Sequence, residues 1–266
     1  MSGSAPIGMV AGGGRLPLLV ANALNQAGEE LLILKLSGQN CLLQEGETLS
    51  LGQVGKMFRA LRIARVEKLV LCGTVSVPDM QSLNLDPRGM MLMPSVMAAS
   101  QKGEDGLMRF IAKTFSQEGY DIIRPDQLVP ELAMPLGVLG ETQLTDAHHQ
   151  DIARGLKELE VLGERDEGQA CIVSAGKIIA VENETGTDAM LITCYAPNGG
   201  VLVKGPKPDQ TLLLDMPVIG PETAHHAATA GLHGIAMVAH GSLIVDREDL
   251  IGLANQSGLF VTGIER

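Results

Sequence analysis

The sequence predicts an α/β protein built from two domains. Through the first ~125 residues, short apolar runs alternate with amphipathic helical patterns, which indicates parallel strands joined by right-handed crossovers. A stretch rich in proline and glycine then interrupts the pattern before it resumes. The 266 residues, 45% apolar and 19% charged, are enough for two modest hydrophobic cores. We therefore predict domains over 1–132 and 148–266, joined by a linker over 133–147.

The elements of the first domain are bounded by glycine and proline. The apolar run 7–11 is followed by three glycines, and Pro17 then opens a helical pattern that Gly28 closes. The same reasoning gives further strands at 31–36, 68–71 and 120–123, and further helices at 55–65 and 104–117.

The second domain begins with a predicted helix from about Asp146 to Leu162. Two apolar runs flank Ser174-Ala175-Gly176, which predicts a tight hairpin. Further strands are predicted at 201–204, 211–214, 234–238, 243–245 and 259–262, and further helices at 221–230 and 247–257.

Charge and cysteine usage exclude several classes of protein. The net charge of −11 disfavours binding to nucleic acid, and no basic arm is present. The four cysteines lie far apart without a Cys-x-x-Cys pair, which argues against a zinc site or a disulfide framework. No signal peptide and no apolar run of about 20 residues is seen. We expect a cytoplasmic protein whose membrane contact, if it makes one, is peripheral.

Gly12, Gly13 and Gly14 lie between a predicted strand and a predicted helix. Free backbone N–H groups at such a position can hold phosphate, although a tight turn alone also explains the glycines. The dinucleotide fingerprint Gly-x-Gly-x-x-Gly is not met, because Pro17 stands at its third glycine. Thr74 follows another parallel strand, where it can contact a ligand or simply cap the strand.

Carboxylates in the second half suggest a site for a hard cation. Asp215 follows three leucines and precedes Met-Pro, so we predict that it ends a buried strand, where a carboxylate needs a partner or a metal. Asp188 follows Thr187, and the pair also fits a helix N-cap with an acid in the first turn. Together with Glu182 these acids are candidate ligands for Mg²⁺.

Lysines near these acids suit phosphate oxygens. Lys204 and Lys207 lie in a Lys-Gly-Pro-Lys-Pro segment after a predicted strand, although exposed lysines are common. Lys102, Gly103 and Asp105 precede or open a helix and can contact a ligand, whereas acids in a first helical turn are also explained by the helix dipole.

Methionines cluster between Met90 and Met97. Methionine builds adaptable apolar surface, so this segment is either ordinary core or a wall for flexible alkyl chains.

Nine short segments, spread over the whole chain, stand in the order in which one enzyme family carries them. They are Ala11–Pro17, Gly55–Arg62, Lys102–Asp105, Gly168-Gln169, Gly186–Leu191, Lys204–Pro208, Asp215–Gly220, Ala230–Ile235 and Asp246-Arg247. In this combination the chain resembles the LpxI family of UDP-2,3-diacylglucosamine diphosphatases.

The resemblance implies an N-terminal Rossmann-like domain and a C-terminal α/β domain with the ligand between them. It implies Mg²⁺-dependent hydrolysis of a UDP-linked diacylglucosamine to UMP and lipid X, with Mn²⁺ as an alternative metal. Asp215 falls on the family's essential acid, and we assign Asp188 as a second catalytic residue and metal ligand. Weak peripheral membrane contact and a homo-oligomer are also expected. The residues expected at the substrate are Gly12, Gly13, Gly14, Leu16, Pro17, Thr74, Lys102, Gly103, Asp105, Thr187, Lys204 and Lys207.

Two departures from the family pattern leave the substrate open. Ile192-Thr193 stand where the family often has two arginines, and Thr74 stands where an asparagine is common. Three functions therefore remain: the hydrolase above, a diphosphatase for another nucleotide-sugar, or a non-catalytic binder of such a ligand.

Overall fold

The computed structural model describes residues 5–76, 83–208 and 210–266, with only the backbone of Glu104. The chain forms two compact units. The first comprises Met1–Pro130 with Leu213–Asp215, and the second comprises Glu131–Leu212 with Met216–Arg266. The two-domain α/β prediction is confirmed.

In the described residues, the first unit contains a five-stranded sheet in the order β3-β2-β1-β4-β5. Every pairing in it is parallel, as predicted. The strands are β1 (Ile7–Ala11), β2 (Leu31–Leu36), β3 (Glu47–Leu49), β4 (Lys68–Cys72) and β5 (Asp121–Ile122). The helices are α1 (Leu16–Gln26), α2 (Val54–Ile63), α3 (Pro87–Ser100), α4 (Gly103–Gln117) and α5 (Pro125–Leu128).

The strand order reverses direction between β1 and β4. Because β2 lies on one side of β1 and β4 on the other, the carboxyl ends of β1 and β4 form a topological switch point, the position at which open α/β sheets bind ligands. The glycine turn after β1 and Thr74 after β4 both lie at this switch point.

Aromatic side chains pack one face of this sheet. Phe58 of α2 contacts Phe115 of α4 edge-on, with ring centroids 5.2 Å apart, and stacks on Tyr120 at 6.1 Å. Leu214 of the 213–215 segment packs against the same core, which explains why this segment belongs to the first unit.

One carboxylate caps two helices of the first unit. Asp86 accepts hydrogen bonds from the amide of Gly89 in α3 at 2.8 Å and from the amide of Lys56 in α2 at 2.9 Å. Partial burial acts to raise the pKa of Asp86, but hydrogen bonds from four backbone amides outweigh it, so the pKa is lowered.

The second unit, in its described part, contains a six-stranded sheet in the order β6-β13-β11-β9-β7-β8. Strands β9, β11 and β13 are parallel, and the other pairings are antiparallel. Its strands are β6 (Gly137–Leu139), β7 (Ala170–Ser174), β8 (Lys177–Val181), β9 (Val201–Lys204), β11 (Gly234–Val238) and β13 (Phe260–Ile264). Two further strands, β10 (Val218–Ile219) and β12 (Leu243–Ile244), pair in parallel as a separate two-stranded sheet. The helices are α6 (Asp146–Arg165), α7 (Thr187–Thr193), α8 (Pro221–Thr229) and α9 (Arg247–Ser257).

Local chemistry explains several boundaries in this unit. Ala175 and Gly176 both have positive φ, 48° and 76°, which is the geometry of a two-residue type I′ hairpin between β7 and β8. Thr145 caps α6 by accepting from the amide of His148, whose ring nitrogen accepts in return from the amide of Thr145.

Two expectations need revision. The segment 133–147, predicted as a linker, contains β6, which pairs antiparallel with β13 at the edge of the sheet. The segment 211–214, predicted as a strand, forms a turn, and Leu213 is exposed. Asp215 therefore does not end a buried strand. It is half-buried and lies shortly before the two-residue strand β10.

Candidate functional site

The turn after β1 uses its own amides. The N–H of Gly12 donates to the carbonyl of Cys72 at 2.9 Å, that of Gly13 to Thr74 at 2.8 Å, and that of Gly14 to Asn40 at 3.0 Å. The expectation that these three N–H groups are free to hold phosphate is therefore wrong, because each already has a backbone acceptor.

Close packing explains why the turn needs glycine. A Cβ on Gly12 would lie 2.4 Å from the carbonyl oxygen of Thr74, and one on Gly13 would lie 2.9 Å from the Thr74 hydroxyl. Gly14 has φ +85°, a conformation that other residues rarely adopt. The glycines thus let β1 and β4 leave the sheet in contact, and they bring the exposed Thr74 side chain to the switch point.

The first turn of α1 offers different donors. Leu16 and Pro17 are both buried, so their side chains belong to the packing of this unit. Pro17 has no N–H, but the amides of Leu16 and Leu18 lie in the first helical turn, where no helical acceptor exists. These amides, rather than those of the glycines, are the donors that this turn can present to an anion.

Lys102, Gly103 and Asp105 stand at the start of α4. Gly103 has φ +88°, so glycine is needed where the chain enters the helix. Asp105 pairs with Arg109 one turn later at 2.5 Å. Lys102 is exposed at the N-cap position.

In the second unit, three of the predicted residues meet in one buried cluster. Glu182 directly follows β8, Lys204 ends β9, and Thr187 opens α7, and all three are at least 93% buried. The Lys204 ammonium donates to the Thr187 hydroxyl at 2.5 Å and lies 3.7 Å from the Glu182 carboxylate. The Thr187 hydroxyl in turn donates to Glu182. The sequence predicted each residue as part of a site, and the structure brings them together.

The charges of this cluster compensate each other. One oxygen of Glu182 faces Thr187 and Lys204, and the other accepts from the amide of Gln169 at 2.8 Å. A metal on Glu182 would have to share that carboxylate with the Lys204 ammonium, and two cations at one carboxylate repel each other. The geometry therefore favours Glu182 as the partner that holds Lys204 in place.

Gln169 is a member of the cluster that was not among the predicted site residues. Its amide donates to Glu182, and its carbonyl accepts from the amide of Gly205 directly after Lys204, at 3.1 Å. Its side-chain oxygen is buried, with no hydrogen-bond partner among the described residues. The Gly168-Gln169 pair was visible in the sequence as a motif, but its contact with Glu182 depends on strand pairing.

Asp188 occupies a neighbouring position in the first turn of α7. Its carboxylate accepts from the Thr223 hydroxyl of α8 at 3.0 Å. The Asp188 side chain is half-buried, whereas Thr223 is buried. Thr223 thus orients the Asp188 carboxylate through Oδ1, and Oδ2 can bind another ligand. Thr223 was not among the site residues predicted from the sequence.

Lys207 makes a different contact. Its ammonium lies 2.5 Å from Asp166, which ends α6 in the left-handed conformation. This ion pair joins the Lys-Gly-Pro-Lys-Pro segment to the end of α6. Lys207 therefore has a structural role in addition to the substrate contact that the sequence predicts.

Three of the four thiols lie where burial disfavours the thiolate. All four cysteines are free, and burial raises the pKa of Cys72 and of Cys171 to about 12 each. Burial also raises the pKa of Cys194.

Among the described residues, no three histidine, cysteine, aspartate or glutamate side chains are grouped to hold a metal ion. No helix in the same part of the chain is long and apolar enough to cross a membrane.

Comparison with known proteins matches both halves of the chain. A family model described as the LpxI N-terminal domain matches residues 6–132, and one described as the LpxI C-terminal domain matches residues 135–262. The chain is also 37% identical over 272 residues to the UDP-2,3-diacylglucosamine pyrophosphatase LpxI of Caulobacter vibrioides, an alignment that covers 97% of each protein.

Proposed function

The chain belongs to the LpxI family, and we propose that it hydrolyses the diphosphate of UDP-2,3-diacylglucosamine to UMP and 2,3-diacylglucosamine 1-phosphate in lipid A biosynthesis. The observation that carries this proposal is the convergence of separate sequence motifs in the second unit. Gln169, Glu182, Thr187 and Lys204 come from four places in the chain and form one hydrogen-bonded cluster. A buried lysine ammonium held by its neighbours suits a substrate that carries phosphate better than a neutral substrate.

We assign Lys204 to a phosphate oxygen of the substrate. An ammonium has three donors, and those facing Thr187 and Glu182 leave one for a ligand. Burial strengthens the attraction between this charge and a phosphate, because the surroundings screen it less than water does. Holding the ammonium in advance also avoids reorganisation during the reaction.

We propose that Mg²⁺, or Mn²⁺ in its place, assists the reaction. In sites for phosphoryl chemistry, Mg²⁺ is commonly held by one or two carboxylates together with substrate phosphates and water. Asp188 fits such a ligand, because Thr223 fixes one of its oxygens and leaves the other. Asp215 is the second candidate. When bound, the metal would polarise a phosphoryl oxygen.

Asp215 is proposed as the essential acid, either as a metal ligand or as the base that activates water. Asp215→Asn keeps the shape of the side chain and removes its charge. We expect UMP release to fall by at least 100-fold, while the midpoint of urea unfolding stays unchanged. Asp121→Asn, at an exposed acid in the same unit, is the matched control and should keep wild-type activity. Wild-type turnover by Asp215→Asn would contradict the assignment.

Metal dependence is tested separately. After treatment with EDTA and removal of the chelator, we expect no UMP release from UDP-2,3-diacylglucosamine, and recovery on adding Mg²⁺ or Mn²⁺. Asp188→Asn should raise the Mg²⁺ concentration needed for half-maximal rate, because it removes one hard oxygen ligand. Full activity in the chelated protein would remove the metal from the proposal.

A second candidate is a diphosphatase for another nucleotide-sugar. Ile192, which stands where the family often has arginine, is 65% exposed on α7, the helix that carries Asp188. Loss of a cation there would favour a different or less anionic substrate. A panel of UDP- and ADP-sugars decides between the two: turnover confined to unacylated sugars supports this candidate, and tight binding without turnover supports a non-catalytic binder.

A further inference from the structure

Helix α3 leaves its apolar side chains largely uncovered. Of its 14 residues, only Gly89 and Ala99 are buried. Met91 is 72% exposed, Met90 56% and Met97 51%. The core-packing interpretation of this methionine segment is therefore wrong for these three residues. Isolated exposed apolar residues need no explanation, so the ones that matter are those that adjoin another surface feature.

A basic pocket lies beside α2 and the first turn of α3. It has a volume of about 540 Å³ and is lined by Phe58, Arg59, Arg62, Ile63, Arg88 and Glu118. Glu118 binds Arg88 at 2.6 Å and Arg62 at 3.3 Å, so one carboxylate holds two guanidinium groups at the pocket. Arg59 is exposed, and Ile63 is 77% exposed at the end of α2.

The helices that carry these residues are fixed to each other. Gly89 of α3 approaches so closely that an added Cβ would lie 2.1 Å from the carbonyl oxygen of Gly52. Asp86 caps both α2 and α3, as described above. Arg88 and Met91 are three residues apart on α3 and therefore neighbours on its surface. The basic pocket and Met91 thus form one continuous surface, which we call the α2–α3 surface, whereas Met90 and Met97 lie on the opposite side of α3 from Arg88.

The local charge of this surface is opposite to that of the chain. It carries Lys56, Arg59, Arg62 and Arg88 against Asp86 and Glu118, a surplus of two positive charges in a protein of net charge −11. A second copy of the chain would present the same positive charges, so self-association through this surface brings like charges together. A partner that is both anionic and apolar fits better.

We propose that the α2–α3 surface docks on an anionic phospholipid bilayer. Arginine binds phosphate in a two-pronged geometry, so the pocket would hold the phosphate of a lipid headgroup. Met91 and Ile63, the exposed apolar side chains that adjoin the pocket, would enter the boundary between headgroups and acyl chains, where a flexible methionine adapts to mobile lipid. The proposal deepens the proposed function, because a diacylated substrate resides in a bilayer, but its test does not depend on hydrolysis.

The test is flotation of the full-length protein with vesicles, without substrate. We expect binding to vesicles of phosphatidylcholine with phosphatidylglycerol, none to phosphatidylcholine alone, and release as salt is raised. Arg59→Gln should lower the partition coefficient about fivefold, which corresponds to one basic residue near an anionic membrane. Met91→Ser should lower it by a similar factor. Both positions are exposed, and an unchanged thermal midpoint checks that the variants fold.

Matched controls lie on β8 of the second unit. Lys177→Gln removes an exposed cation and Ile179→Ser an exposed apolar side chain, and both should bind anionic vesicles like the wild type. Equal binding to neutral and anionic vesicles would overturn the proposal, as would equal losses in the control and α2–α3 variants. A concentration-dependent dimer that Met91→Ser abolishes would assign the surface to a second copy instead.

Discussion

Neutralising Lys204 tests whether the buried cluster serves stability, catalysis or both. Lys204→Met keeps the length of the side chain but leaves the Glu182 carboxylate buried without its cation. Two charges 3.7 Å apart attract each other by about 4.5 kcal/mol at an effective dielectric constant near 20. Breaking such a buried pair by removing one partner typically costs about 3–5 kcal/mol. We therefore expect Lys204→Met to lower the free energy of unfolding by about 3 kcal/mol or more.

The double variant separates the two roles. Glu182→Gln alone leaves the ammonium buried without its anion and should destabilise the protein by a similar amount. In Lys204→Met/Glu182→Gln neither charge remains, so most of the lost stability should return. Urea unfolding measures this through the midpoint at constant slope. If Lys204 binds a phosphate oxygen, the double variant regains stability but not the rate of UMP release.

Three outcomes would contradict this reasoning. A loss below about 1 kcal/mol in Lys204→Met would show that the pair contributes little and that water reaches the cluster. A double variant that loses as much as the two single variants together would show that the charges do not interact. Wild-type turnover in the double variant would remove Lys204 from the reaction.

Other changes test the fold and its pH dependence. Asp86→Ala removes the cap of two helices and should lower the free energy of unfolding by about 1–3 kcal/mol, measured by urea unfolding, whereas Asp86→Asn should lose less. Gly12→Ala forces a methyl group against a backbone oxygen and should lower the thermal midpoint, at a cost of about 1–3 kcal/mol. The pKa of His148 is lowered below its usual 6.5, chiefly by burial and then by His233, while Asp151 acts in the opposite direction. The unfolded chain then binds a proton more readily, so the contribution of His148 to stability is fully present above pH 6.5 and is lost as the pH falls from 6.5 through the lower folded-state pKa. His148→Gln should therefore flatten the dependence of the unfolding midpoint on pH below about 6.5.

Local sequence signals identified most elements but not those without a regular pattern. Strands β1, β2, β9 and β11 and helix α9 have the predicted bounds, because each is a clear apolar or amphipathic run between glycine, proline or charged residues. Helix α3 was not predicted, since Pro94 lies in its interior and its apolar residues do not line one face. The leucines at 212–214 were misread as a strand, because a short apolar run does not by itself distinguish a strand from a packed turn.

The sequence also could not predict whether the backbone amides of the glycine turn are free or already hydrogen-bonded within the protein. Three glycines after a strand indicate a tight turn, and a tight turn can expose its amides or bond them internally. The choice depends on where the next strand of the sheet ends. Here the backbone carbonyls of Thr74 and Asn40 accept hydrogen bonds from the amides of Gly13 and Gly14, which are therefore not available to a ligand.

The position of the Lys204 ammonium follows from strand register more than from local sequence. Lys204 lies opposite Ala170 in the pairing of β9 with β7, and the amide of Glu182 donates to Ala170 from the other side. A slip of one residue between β7 and β9 would turn Lys204 to the opposite face of the sheet and separate it from Glu182 and Thr187. The bond from Gly205 to the carbonyl of Gln169 fixes that register at the end of β9. A lysine after an apolar run is common in any sequence. The contact between Lys204 and Glu182 forms because β7 lies between β9, which ends at Lys204, and β8, which Glu182 follows, so only the folded sheet reveals it.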